Sequence, residues 1–440
     1  MRRFITLIII VVIMWLISKI SLDETVLSKA ASTMIFGFLM LSAYLIGEIL
    51  PQFKLPKLTG YIITGIIFGP YLLKFLNVET VKELKFIDEL ALTFIALAAG
   101  GELRVADLKE RQKSIIFVIF VSTIVVLIGV TLFIFIGHPL IPFMVGKPIA
   151  HLLAIGTIFG VIAIARSPST VIAIIKETKA RGPFTEMILG VTIAIDTLVI
   201  ILFAVTISFC EAIILGTPVN ILFFLTLTGE IIVSIILGVL IGWGLSFYIN
   251  YVKANLTVLI LGMALLVTHL SHGLSNYLQE TYNLGIHLEP LLICITVGFF
   301  VQNFSQQGEH FLESMNDISL SIFIIFFVIA GANIDLNALK ETWLMAIILV
   351  IVRGVMIFFG SYLGGKFSGD LAKFNRLSWM GFLTQAGVSI GLASEVMRRF
   401  PGWGPQLATM IIAVIGLNQV VGPIAFKYSL TQVGETSGKE

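Results

Sequence analysis

Long apolar runs, separated by short polar connections, recur from residue 4 to residue 426. About twenty consecutive apolar residues are what an α-helix needs to cross a hydrocarbon layer roughly 30 Å thick. Fourteen spans are read in this way, at 4–20, 29–50, 58–76, 86–102, 114–137, 149–175, 183–213, 219–248, 255–273, 284–302, 313–333, 338–365, 377–397 and 405–426. The first follows a basic start, as a signal peptide would. The sequence ISKISLDETV after it offers no small-x-small cleavage site, so it is read as a retained span. An even count puts both termini on one side. The expected organisation is an added span and loop at 1–28, a transmembrane domain at 29–428 and a short tail at 429–440.

Two of the spans are not uniform helices. In IFGVIAIARSPSTVIAIIKE, Pro168 removes an amide donor and disfavours helix at Ser167, while Ser167, Ser169 and Thr170 crowd one turn. A broken helix at membrane depth is tolerated only where its freed backbone groups are buried in protein or line a cavity. MGFLTQAGVSIGLASEV reads as a second break, with Thr384, Gln385, Gly387, Ser389 and Gly391 where a lipid-facing helix would carry Leu. A simple proline kink and small residues for close packing are the bland alternatives. The two irregular spans are seven apart in the count. Spans three to seven (about 58–213) and ten to fourteen (about 284–426) then form two five-helix repeats. An odd offset makes equivalent helices cross in opposite directions, the inverted-repeat plan of many transporters. The fold class expected is an all-α polytopic membrane protein built on two inverted repeats with crossed broken helices.

Composition agrees with lipid as the solvent. Hydrophobic residues are 58% of the 440 and charged residues 12%, where a soluble domain carries about a quarter. Cys210 and Cys294 both lie in apolar runs and read as small buried residues rather than a disulfide. With the N-terminus inside, the cytoplasmic loops hold roughly twice as many Lys and Arg as the opposite side. That bias predicts both termini in the cytoplasm.

A few charges lie within the apolar spans. Asp196 stands alone in GVTIAIDTLVIILFAV, and a lone carboxylate at that depth marks an ion or proton site or half of an ion pair. Thr192 is four residues earlier, on the same helical face, and Thr197 follows directly. Carboxylate, hydroxyl and carbonyl oxygens together suit a hard monovalent cation. The alternative for Thr192 is a hydroxyl bonded back to its own helix. Arg166 and Arg353 each cost at least ~3 kcal/mol at such depth unless they face a cavity or a partner. Glu102, closing LAAGGEL, is the most attractive partner for a buried arginine. No nucleotide-binding, metalloprotease or nucleophile-elbow motif is present, which argues against an enzyme or a primary pump.

Six segments, in order, resemble the cation:proton antiporter superfamily, nearest its second branch of Kef-type and Nap-type sodium/hydrogen exchangers. They are LPKLTGYIITGIIFGPYLL (55–73), ALAAGGELRVADLK (96–109), SPSTVIAIIKE (167–177), GVTIAIDTLVII (190–201), FIIFFVIAGANIDL (323–336) and TQAGVSIGLASEV (384–396). The resemblance implies a homodimer whose core bundle moves against a dimerisation bundle. It carries Asp196 over as the shared proton and cation site, and places Arg353 where the family keeps a basic residue beside it. The chain departs from the pattern at Ile195, where electrogenic members hold a second carboxylate, and at Arg166, where the family more often has a small or polar residue.

The expected function is exchange of Na⁺ or K⁺ for protons, electroneutral, without a cofactor, in a prokaryotic plasma membrane. Asp196 would bind the cation with oxygens of Thr192, Thr197 and the Ser167–Thr170 break. Arg353, Arg166 and Glu102 would compensate charge, and Thr384, Gln385 and Gly387 would line the second crossing helix. The rivals are transport of an anion with Arg166 as its binding charge, and a non-transporting sensor or scaffold on the same fold.

Overall fold

The computed structural model of the chain describes residues 27–53, 55–77, 79, 81, 84–215, 221–251, 256–282, 288, 290–334, 336–385 and 387–436. Among them every regular element is helical. In chain order the α-helices are α1 (Leu27–Ile49), α2 (Lys57–Phe68), α3 (Lys85–Glu102), α4 (Val105–Gly137) and α5 (Ile149–Ile164). They continue with α6 (Pro168–Thr178), α7 (Pro183–Leu215), α8 (Ile221–Tyr251), α9 (Leu256–Tyr282) and α10 (Pro290–Phe304). The last five are α11 (Gly308–Ala332), α12 (Leu336–Ser368), α13 (Ala372–Gly381), α14 (Gly387–Arg399) and α15 (Gly404–Val433). Among the described residues each expected span from 29 onward overlaps a helix or a broken pair, α5 with α6 and α13 with α14. The span expected at 4–20 lies outside the described residues.

Packing sorts the helices into two bundles. One holds α4 to α7 and α12 to α15; the other holds α1 to α3 and α8 to α11. Each draws on both halves of the sequence, and the neighbours repeat. α4 packs on α5 and α7 as α12 packs on α13 and α15. α2 lies on α11 as α10 lies on α3, and α4 runs along α12. Such reciprocity is what two inverted five-helix sets produce when each completes the other.

The bundles are held by backbone contact. Lipid offers no hydrophobic drive between helices, so small residues that let backbones approach carry the packing. A Cβ on Gly65 would strike the carbonyl of Val328, and one on Gly331 the carbonyl of Ile62, where α2 crosses α11. The mirrored crossing of α3 and α10 does the same through Gly100 against Ile295 and Gly298 against Leu97. Between α4 and α12, Gly360 meets the backbone of Ser122, and Gly364 that of Val118.

These crossings make one substitution costly and another silent. Gly331→Ala forces a Cβ into backbone that cannot move aside, an overpacking expected to cost about 1–3 kcal/mol. Gly262→Ala meets nothing within 4 Å and should leave stability unchanged. Thermal unfolding of the detergent-purified proteins, followed by fluorescence-detected size exclusion, compares the two.

Candidate functional site

The two helix breaks meet. α5 ends where Ala165 turns to extended backbone (φ −54°, ψ 142°), and α6 begins at Pro168 behind Ser167 as its N-cap. A proline at the first helical position gives up an amide that the helix would leave unbonded anyway. The Ser167 hydroxyl accepts from Thr170 N at 3.3 Å and lies 2.9 Å from the hydroxyls of both Ser169 and Thr170. In the second half α13 stops at Gly381, and α14 resumes at Gly387. The stretches cross where Ser167 N donates to the carbonyl of Thr384, at 3.0 Å. Gln385 strengthens the crossing: its Nε2 donates to the carbonyl of Ile162 at 3.1 Å, and its Oε1 accepts from Asn418 Nδ2 at 2.8 Å.

Arg353, on α12, binds both breaks at once and is fully buried. Its Nε donates to the carbonyl of Ala163 at 2.8 Å and its Nη2 to that of Ala165 at 2.8 Å. Nη1 donates to Leu383 at 2.7 Å, and Nη2 also reaches Phe382 at 3.4 Å. These carbonyls end α5 and α13, where the helix dipoles present partial negative charge. A cation there replaces what water would supply at a helix end. The resemblance placed Arg353 beside Asp196; its hydrogen bonds among the described residues go to main-chain carbonyls instead.

Arg166 is 2% exposed, donates through Nη2 to Ser122 Oγ at 2.8 Å and lies 3.9 Å over the ring of Phe382. Its Nε and Nη1 have no hydrogen-bond partner among the described residues. The partner expected for it, Glu102, stands at the end of α3 in the other bundle, 4.0 Å from Lys176 Nζ. Among the described residues the two charges that sequence reasoning joined do not pair: Glu102 faces Lys176, and Arg166 lies against Ser122 and Phe382.

Asp196 lies in the middle of α7, which packs on α4, α5 and α6. It is 9% exposed, and Thr192 is fully buried one turn before it. Thr192 Oγ1 has no hydrogen-bond partner among the described residues, so its hydroxyl is not tied back to its helix. Thr197 follows in α7, its side chain outside the described residues. Thr384 Oγ1, Asn418 Oδ1 and Gln419 Oε1 are likewise buried oxygens without a partner there. Gly387 opens α14, and Gly422 on α15 seats the backbone of Thr384.

Sequence reasoning passed over Asn418 and Gln419, although they are a polar pair inside the span 405–426. Asn418 lies within α15, whose packing on α12 parallels that of α7 on α4, and its amide is buried. Glu435, past α15, was missed as well. Its carboxylate accepts from the amides of Phe184 and Thr185, each at 2.8 Å, and from the Thr185 hydroxyl at 2.7 Å. It thereby caps the N-terminus of the helix that carries Asp196.

Residues 37–431 match the family described as sodium/hydrogen exchanger, transmembrane. The chain is 23% identical to the probable Na⁺/H⁺ antiporter 3 of Methanocaldococcus jannaschii, over 90% of this chain and 95% of that protein. It is also 23% identical to the Na⁺/H⁺-K⁺ antiporter GerN of Bacillus cereus, over 89% and 95%. Among solved structures it is similar to the sodium proton antiporter MjNhaP1 of Methanocaldococcus jannaschii. An electron-microscopy structure of that protein superposes with a TM-score of 0.72 at 18% identity, covering 95% of this chain and all of that one. The structure determined at pH 8 gives 0.66 at 19% identity, covering 92% and 99%. The fold is shared across almost the whole length.

Removing the Arg353 guanidinium should loosen both breaks together. Arg353→Gln leaves buried carbonyls of two half-helices without donors, at a cost of at least ~3 kcal/mol. Arg353→Lys keeps the charge but not the fork, and should fall between. The melting temperatures of the purified proteins test the order wild type, Lys, Gln.

Proposed function

The chain belongs to the sodium/hydrogen exchanger transmembrane family, and on that premise we propose that it exchanges Na⁺ or K⁺ for protons at Asp196. What supports the reading is the buried carboxylate in the middle of α7, with buried oxygens of Thr192, Thr384, Asn418 and Gln419 that have no hydrogen-bond partner among the described residues. A hydroxyl or amide oxygen that accepts no proton is a ligand for a hard cation. The Ser167, Ser169 and Thr170 hydroxyls, gathered at the start of α6, extend that set.

In this reading Asp196 is occupied in turn by a proton and by a cation. Arg353 does not compete for it, being spent on the carbonyls of the breaks. The two relatives named for Na⁺/H⁺ and Na⁺/H⁺-K⁺ exchange support Na⁺ or K⁺ as the cargo. The protein works as a homodimer in a prokaryotic plasma membrane with both termini in the cytoplasm; the bias of basic residues supports the orientation.

Asp196→Asn should abolish Na⁺- and K⁺-dependent proton flux in proteoliposomes while the purified protein keeps its wild-type elution profile. The amide can hold neither the proton nor the counter-charge of the cation. Retention of wild-type flux by the mutant removes Asp196 from the site.

Exchange should also be electroneutral, because Ile195 stands where a second carboxylate would be needed for two-proton stoichiometry. The expected result is flux unchanged by an imposed membrane potential and no transient current on a solid-supported membrane. A robust current under a cation gradient would show that another group carries a proton.

A further inference from the structure

Contacts inside each bundle and contacts between the bundles differ in kind. Inside, backbones touch through glycines and do not slide. Between them, the packing runs through α2 with α15 and α6, α3 with α6, and α7 with α8. The ionic contacts across this seam centre on two adjacent residues at the end of α6. Glu177 accepts from the amides of Lys57 and Leu58, at 3.0 and 3.4 Å, so it caps the N-terminus of α2 from the opposite bundle. Pro56, the residue at that N-cap, offers no side-chain acceptor of its own. Lys427 of α15 joins the same carboxylate at 3.2 Å and donates to the carbonyl of Leu55 at 3.3 Å. Lys176 turns the other way, donating to Ser319 Oγ on α11 at 3.2 Å and standing 4.0 Å from Glu102 on α3.

We propose that Lys176 and Glu177 form a charged clasp that shuts the seam on the face bearing the end of α15, and that this clasp parts whenever Asp196 is presented to that face. The inference rests on the exchange reading. A site buried between two bundles is reached from alternate sides only if one bundle shifts against the other. The shift follows the contacts that water can replace. Lys176, Glu177, Lys427 and Glu102 are all partly solvated, with side-chain exposures of 15, 14, 23 and 31%, so their bonds can be exchanged for hydration. α6 also transmits the motion directly: its first turn is the Ser167 cap at the crossing and its last turn is the clasp. In the proposed orientation this face is cytoplasmic.

A covalent staple tests the clasp. Lys57→Cys and Glu177→Cys are introduced together in a chain whose Cys210 and Cys294 are replaced by Ser, and the protein is reconstituted in proteoliposomes. Oxidation with copper phenanthroline should cut Na⁺-driven proton flux by about tenfold or more, and reductant should restore it. Crosslinked protein that exchanges within about twofold of the reduced form overturns the proposal. Absence of any Na⁺- or K⁺-dependent flux in the wild type would instead defeat the exchange reading. A second measurement does not depend on flux. Ser319→Cys in the same background reports opening by its rate of maleimide labelling from the C-terminal face. Adding Glu177→Gln should raise that rate about fivefold, within the range of ordinary coupling between sites. An unchanged rate overturns the clasp even if transport is never observed.

Discussion

A helix interrupted inside a bilayer leaves carbonyls and amides that no water can satisfy, and the rest of this structure is arranged around meeting that demand. Arg353 meets the carbonyl half of it for both breaks with a single guanidinium. The amide half is met locally, by the Ser167 hydroxyl and by a proline that has no amide to satisfy. The bond from Ser167 N to Thr384 O then joins the breaks to each other. Among the described residues, the buried oxygens of Thr192, Thr384, Asn418 and Gln419 are left without a hydrogen-bond partner. An oxygen-rich, dry crossing is the precondition for any cation chemistry at Asp196.

The fold was legible because the bilayer imposes it. Spans of fixed length, a proline at 168 and polar residues at 384 and 385 are local signals, and each reappears as a helix or a break. The site was legible in part. Asp196 announced itself by its isolation, and Ser167, Ser169 and Thr170 by their crowding; the latter do gather around one hydroxyl. Partners of long side chains were not legible. Spacing along the chain says nothing of which bundle a helix joins, so Glu102 was matched to Arg166 although it faces Lys176 across the seam. The resemblance placed Arg353 beside Asp196 as a compensating charge; that its hydrogen bonds go to carbonyls at two helix ends was invisible in a residue string. Asn418 and Gln419 escaped notice because neutral amides do not stand out as an ionised group does.

The unequal halves deserve a physical reading. α7 and α15 have corresponding neighbours, yet one carries a buried carboxylate, Asp196, and the other a buried amide, Asn418. Asn418 spends its donor on Gln385, while Asp196 can hold a charge or a proton. In the proposed reading one half of the pair serves as scaffold for the crossing and the other supplies the titrating group. Arg353 likewise comes from the second half and serves both. The first half's break thus takes its guanidinium from the second half.

Glu435 has a consequence for biosynthesis. The amides it caps belong to Phe184 and Thr185, and 250 residues separate Thr185 from Glu435. During translation the helix bearing Asp196 enters the membrane long before its capping carboxylate has been made. Until Glu435 is made, the amides of Phe184 and Thr185 lack this acceptor. Capping of that helix thus waits on a residue 250 positions further along, and a polypeptide cut short after Gly434 would lack the bond.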